Sequence, residues 1–191
     1  MVRTLLALLL IGVLGTIILS LPIVQTRFAE YATNKINTKY GTSINIDRLK
    51  VSLISGKTYL RGVYVEDYQK DTLFYVNDLN TSILSVKNLL NGKLEFGAIS
   101  IKELNFKLKT YKGNKETNLD VFIKKLDSKK PKDPDSPAFF LSSSNVSIEN
   151  SVFKLIDENF EKEKILDFQS LHINSSNFKI LGPQVSTAIQ N

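Results

Sequence analysis

Four stretches of this 191-residue chain alternate apolar and polar side chains, and each breaks the alternation once, in the same way. Ile44, Ile46, Leu49, Val51 and Leu53 step by two except at Asp47 and Arg48. Phe74, Val76, Leu79, Thr81 and Ile83 slip at Asn77 and Asp78; Ile99, Ile101, Leu104, Phe106 and Leu108 slip at Lys102 and Glu103; Leu166, Phe168, Leu171 and Ile173 slip at Gln169 and Ser170. Successive side chains of a strand point to opposite faces, so one unmatched residue sends every later apolar group to the wrong side. The pattern therefore requires a β-bulge in each strand, or a break between two strands. Its recurrence is a degenerate internal repeat of long strands, apolar on one face and bearing Lys, Asn, Ser or Asp on the other.

Ahead of the strands, residues 4–24 (TLLALLLIGVLGTIILSLPIV) carry no charge and are bracketed by Arg3 and Arg27. At helical rise such a run covers about 30 Å, the thickness of a bilayer's hydrocarbon core, and it reads as a membrane-spanning helix with its N-terminus inside. A cleaved secretory signal is the alternative; the run is longer than the apolar core of such signals and no small-residue cleavage motif follows it. Residues 24–40 read as a second helix, continuous with the first or kinked from it at Pro22, with Val24, Phe28, Tyr31, Ala32, Ile36 and Tyr40 on one face and Gly41 as its stop. That apolar face either lies on the membrane surface or covers the first sheet edge, and the aggregation hazard of a bare edge favours the cover. The expected organisation is an anchor over 1–27, an amphipathic capping helix over 28–41, and β-structure over 42–191.

Turn residues separate the strands at Ser55-Gly56-Lys57, Asp67 to Asp71, Asn91-Gly92-Lys93, Lys112-Gly113-Asn114 and Asn159 to Lys164, with a helical turn at Ser85 to Leu90. Residues 117–127 predict a short amphipathic helix capped by Thr117 or Asn118, and 128–137 (SKKPKDPDSP) an exposed loop. The absence of cysteine excludes disulfide scaffolds and thiolate metal sites, so an exported domain must be held by packing and strand pairing. Net charge is +6, with ten Lys against four acids between Ile101 and Lys132, which reads as a solvated basic face. The single histidine, His172, falls on the polar side of a strand; Asp133 and Asp135, and the Asp157, Glu158, Glu161 and Glu163 group, read as solvated loop charge. No phosphate loop, dinucleotide fingerprint or nucleophile elbow is present, so no catalytic, cofactor or metal residue is assigned and the chain reads as a non-enzyme that binds no nucleic acid.

The order of these blocks resembles the N-terminal portion of the TamB family, in the AsmA-like superfamily, of the kind found in Bacteroidota. The resemblance runs over nearly the whole chain: an N-terminal span, a helix ending in KYGTSINIDRLKVSL, then GKTYLRGVYVED, DTLFYVNDLNTSILSV, the block from NGKLEFGAISIKELNFKL to FIKKLD, and SNVSIENSVFKLIDEN. It implies a single-pass inner-membrane protein with its bulk in the periplasm, and an elongated β-sheet curled into an apolar groove. It also implies a role in outer-membrane biogenesis, with an outer-membrane partner of the TamA or BamA kind and phospholipid acyl chains or unfolded barrel proteins as cargo. Family members are longer and carry a barrel-contacting domain at the C-terminus, whereas this sequence stops in mid-pattern at Ile189-Gln190-Asn191, so it is expected to be part of a longer protein. The residues expected to line the groove are Leu49, Val51, Leu53, Val63, Val65, Ile83, Ile99, Ile101, Phe106 and Leu108. The alternative is a membrane-tethered structural domain or adhesin that packs the same residues into a closed core.

Overall fold

The computed structural model describes residues 2–85, 87–88, 93–127, 140–160, 164–181 and 184–189. The described residues are mainly β. Two helices come first, α1 (Val2–Ser20) and α2 (Pro22–Tyr40). A residue before proline is pushed out of helical geometry, and Leu21 is accordingly extended, bending the pair by 68°. Among the described residues no single helix is long and apolar enough to cross a membrane; Leu10–Ser20 and Pro22–Tyr40 meet that test only as a bent pair. The span expected over 4–24 is thus divided at Leu21, and residues 22–27 belong to the second helix. Gly41, in the left-handed region, ends α2 as expected, its N–H bonding Asn37 O at 2.8 Å.

The strands are β1 (Ser43–Val51), β2 (Lys57–Glu66), β3 (Thr72–Ser82), β4 (Lys93–Phe96), β5 (Ile99–Thr110), β6 (Phe140–Asp157), β7 (Lys164–Leu181) and β8 (Gln184–Ile189), with α3 (Asn118–Asp127) between β5 and β6. They form one sheet in the order β1-β2-β3-β5-β6-β7-β8, with β4 also beside β6. Most pairs are antiparallel, but β4 and β5 run parallel to β6 at one constant offset from Lys93↔Phe140 to Thr110↔Asp157. They are two parts of one strand line, interrupted at Gly97-Ala98, where Ser143 Oγ donates to Gly97 O at 2.6 Å. A parallel pair needs a long crossover, and α3 lies within it. Thr117 caps α3: its Oγ1 accepts from Asp120 N–H and its own N–H donates back to Asp120 Oδ2. Asn118, the other candidate cap, is buried and ties α3 to β5 through Lys107 O and Lys109 N.

The slips in the sequence pattern line up across the sheet. Gly62, Glu103, Asn150 and Ser170 have φ of 61°, 55°, 50° and 53°, placing a left-handed residue at this level in β2, β5, β6 and β7; Asn177, φ 54°, is a second one farther along β7. Pairing steps over Asp47 opposite Gly62, and over Asn77 opposite Gly62 and Glu103. Strands β1, β2, β3, β5, β6 and β7 therefore carry their irregularity at the same level, and the crease turns all six side-chain patterns together. Gly62 is required twice over: besides its positive φ, a Cβ there would stand 2.0 Å from Asp47 Oδ2.

Helix α2 covers the outer edge of β1, and it does so with amide and hydroxyl groups. Gln25 Nε2 donates to Val51 O at 2.8 Å while Val51 N–H donates to Gln25 Oε1 at 2.7 Å; Thr26 Oγ1 accepts from Leu49 N–H, and Asn37 exchanges the same pair of bonds with Ile44 at 2.9 Å each. These side chains stand where a further strand would, satisfying the edge. The buried residues of α2 are Gln25, Ala29 and Thr33. The expected apolar face points outward instead, with Phe28 and Tyr31 exposed, because an unpaired strand edge needs donors and acceptors more than it needs apolar contact.

The curl expected of the sheet is absent: the sheet is open and uncurled. Closing it would require the outermost strands to meet and pair, and α2 occupies the outer edge of β1. The hairpin turn at Asn91-Gly92, Val86, Leu89 and Leu90 of the Ser85 to Leu90 turn, the 128–137 loop with Asp133 and Asp135, and the Glu161 and Glu163 positions lie outside the described residues.

Candidate functional site: the apolar face of the sheet

Reading the register across the strands gives unbroken apolar rows. One runs Ile44, Val65, Phe74, Phe106, Phe153 and Phe168 from β1 to β7. On the other side of the crease, Leu49, Leu60, Leu79, Ile101, Ile148 and Ile173 form a wholly aliphatic row. Because the crease acts on all strands at one level, both rows share a face. Phe106, Phe153 and Phe168 are in ring contact at 5.5 and 6.1 Å between centroids.

This face lacks the burial of a core. Among the described residues only Ala29, Val65, Leu73 and Val76 are buried apolar groups, and on β7 Leu166, Phe168 and Ile173 stay 55%, 47% and 40% exposed. Across β5, β6 and β7 the face holds an apolar depression of about 350 Å³, lined by residues that include Leu104, Phe106, Ile148, Phe153, Phe168, Leu171 and Ile173. Contiguous apolar surface left to water is uncommon on soluble domains, which makes this face the candidate site.

Eight of the ten expected lining residues lie on this face: Leu49, Val51, Val63, Val65, Ile99, Ile101, Phe106 and Leu108. Ile83 sits one position beyond β3, bridged to Phe96. Leu53 does not belong to the face; β1 stops at Val51, and Leu53 is exposed in the Ser52–Gly56 turn. The expected set omitted β6 and β7, which supply much of the depression. The signal was present, since Val146, Ile148, Ser151, Phe153 and Leu155 carry the same slip as the other four stretches. At that slip Ser151, 1% exposed, accepts from Leu104 N–H at 3.0 Å and donates to Glu149 O at 2.9 Å, pairing an amide that the irregular ladder leaves over.

The opposite face is polar. Arg48, Arg61, Asp78, Lys102 and Glu149 form one row, closed by a Lys102–Glu149 ion pair at 3.4 Å. His172 is exposed, its Nδ1 2.8 Å from Ser170 O. At the far end Asp67 joins three elements: it accepts from Tyr111 Oη at 2.6 Å and Asn118 Nδ2 at 3.2 Å, and from the N–H groups of Gln69 and Asp71. Burial and the bond to Asp67 raise the Tyr111 phenol well above its ordinary range. Burial opposes ionisation of Asp71, but bonds from Lys107 and Thr72 N–H outweigh it and hold its carboxyl below the ordinary value. Among the described residues no three or more His, Asp or Glu side chains are placed to hold a metal ion. No protein-family model and no curated protein matches the sequence.

Proposed function

We propose that the chain is the inner-membrane-anchored beginning of a TamB-like conduit, whose open apolar sheet face carries acyl chains or unfolded barrel segments toward the outer membrane, with a partner of the TamA or BamA kind. The observation that carries this reading is the unbroken apolar face running through six strands, partly accessible over most of its positions and most exposed on β7. An acyl chain laid along it gains about 0.8 kcal/mol per methylene taken from water, while headgroups stay outside, and no covalent step is needed. Support for the anchor comes from α1, where Leu10, Ile11, Val13, Ile17 and Ile18 are all about half exposed or more, leaving it apolar all round. The outward side of α2, with Ile23, Phe28 and Tyr31 exposed beside Arg27, suits the membrane surface next to it.

The test is Ile101→Asp, which sets a carboxylate in the middle of the aliphatic row. On an open face that carboxylate keeps water, so the protein accumulates normally while the envelope becomes permeable, because an acyl chain cannot pass a charge cheaply. Loss of the protein itself, with its strand signal by circular dichroism, would identify the row as a closed core and defeat the conduit.

A further inference from the structure

The Ser52–Gly56 turn ends the sheet where α1 leaves it. Gln25 fixes this adjacency by bonding Leu19 O in the last turn of α1 and both backbone groups of Val51. Two features converge there that the conduit reading does not use. At the tip of the turn Leu53 is 53% exposed and Ile54 fully exposed. Beside it, the polar face holds a depression of about 710 Å³ lined by Lys50, Lys57, Asn80, Ser82 and Ser100 among others. Register sets all five on that face, through Lys50↔Tyr59↔Asn80↔Ser100 and Lys57↔Ser82.

None of these five side chains makes a hydrogen bond or ion pair with another described residue. Lys102, Lys107, Lys109 and Lys154, by contrast, are each paired with a carboxylate. The nearby Asp78 is engaged by the Tyr59 hydroxyl. Two ammonium groups without a partner among the described residues, with an amide and two hydroxyls around them, form a donor set suited to a phosphate group. An apolar tip flanked by lysines, next to a candidate membrane helix, has the composition of an interfacial membrane contact.

We propose that this end of the sheet seats an anionic phospholipid. Leu53 and Ile54 enter the acyl boundary, and Lys50 and Lys57 hold the headgroup phosphate, with Asn80, Ser82 and Ser100 donating to its oxygens. The acyl chains then lie one turn away from Val51 and Leu49 on the apolar face, which makes the seat a loading position. The proposal rests on α1 being a membrane anchor.

The chain lacks cysteine, so single labels are clean. The full chain carries a polarity-sensitive fluorophore on Ile54→Cys, Val13→Cys or Lys115→Cys and is reconstituted in phosphatidylcholine vesicles with or without phosphatidylglycerol. The Ile54 probe should move into lipid and escape iodide quenching, most fully with phosphatidylglycerol, while the Lys115 probe stays in water. Replacing both Lys50 and Lys57 by Gln should weaken the lipid-to-water partition of the Ile54 probe on the order of thirtyfold, from the attraction of two lysines to an anionic surface. A Val13 probe in lipid with the Ile54 probe in water in both vesicles overturns the seat and leaves the anchor standing. A Val13 probe in water overturns the anchor and the seat together. Binding of soluble glycerophosphoglycerol by the detergent-held chain, with the Ile54 probe still aqueous in vesicles, assigns a soluble-phosphate site and overturns the membrane seat.

Discussion

Replacing Gln25 by Ala should unpin the first edge of the sheet without disturbing the rest. The side chain is 6% exposed and makes three hydrogen bonds, two with Val51 and one with Leu19 O. Each such bond nets about 1 kcal/mol, and a buried group left unpaired costs about 1 to 3 kcal/mol. Val51 is half-buried, so water recovers part of the loss, and a local destabilisation of about 2 to 3 kcal/mol follows. Hydrogen exchange at the Val51 amide should then speed up on the order of thirtyfold to a hundredfold, while amides of β6 and β7 exchange at their original rates, because local opening does not require global unfolding. Gln25→Glu should fare no better: it keeps an acceptor for Val51 N–H but turns a carboxylate oxygen toward the carbonyls of Val51 and Leu19. An unchanged rate at Val51, or an equal rise throughout the sheet, would refute the edge-capping role of α2.

At the crease, Gly62→Ala should destabilise by more than about 1 to 2 kcal/mol, the left-handed cost alone, because its Cβ also meets Asp47; Ser170→Gly should be neutral or stabilising. Denaturant titration of both variants checks this, and tolerance of Gly62→Ala would remove the crease as a constraint. For pH dependence, the folded Asp71 carboxyl lies below its ordinary value, so its contribution is full above about pH 4 and is lost as pH falls through the depressed folded value. Asp71→Asn should flatten that acid limb of a stability-against-pH curve, and an unchanged limb would assign it to other carboxylates.

The sheet was legible because burial on one face imposes a period, and a period exposes its own irregularities. The slips at Asp47, Asn77, Glu103 and Ser170 could be read before any coordinates, and all fall on the crease. The slips in β2 and β6 were harder to see, since Gly62 reads as an ordinary turn residue and Ser151 interrupts the apolar series. Helix α2 covers the β1 edge with the face opposite to the one its apolar period selects. Amphipathicity points to apolar burial, whereas a strand edge selects Gln25, Thr26 and Asn37, whose hydrogen-bonding value depends on a partner remote in sequence. Leu53 was assigned to the face because alternation does not announce where a strand stops. The parallel pairing of β5 with β6 leaves no local signature, since it is decided by the crossover that contains α3. The lysine depression was invisible because Lys50, Asn80 and Ser100 meet only through register.

The central claim is that the apolar face is open to cargo, and photo-crosslinking from defined positions in living cells tests it most directly. A photoreactive side chain at Ile101, Phe106 or Phe168 should capture phospholipid or unfolded barrel protein, and the same probe at Lys102 or Lys107, which alternate to the polar face, should capture neither. Adducts of equal yield on both faces, or none at any apolar position, would contradict an open conduit.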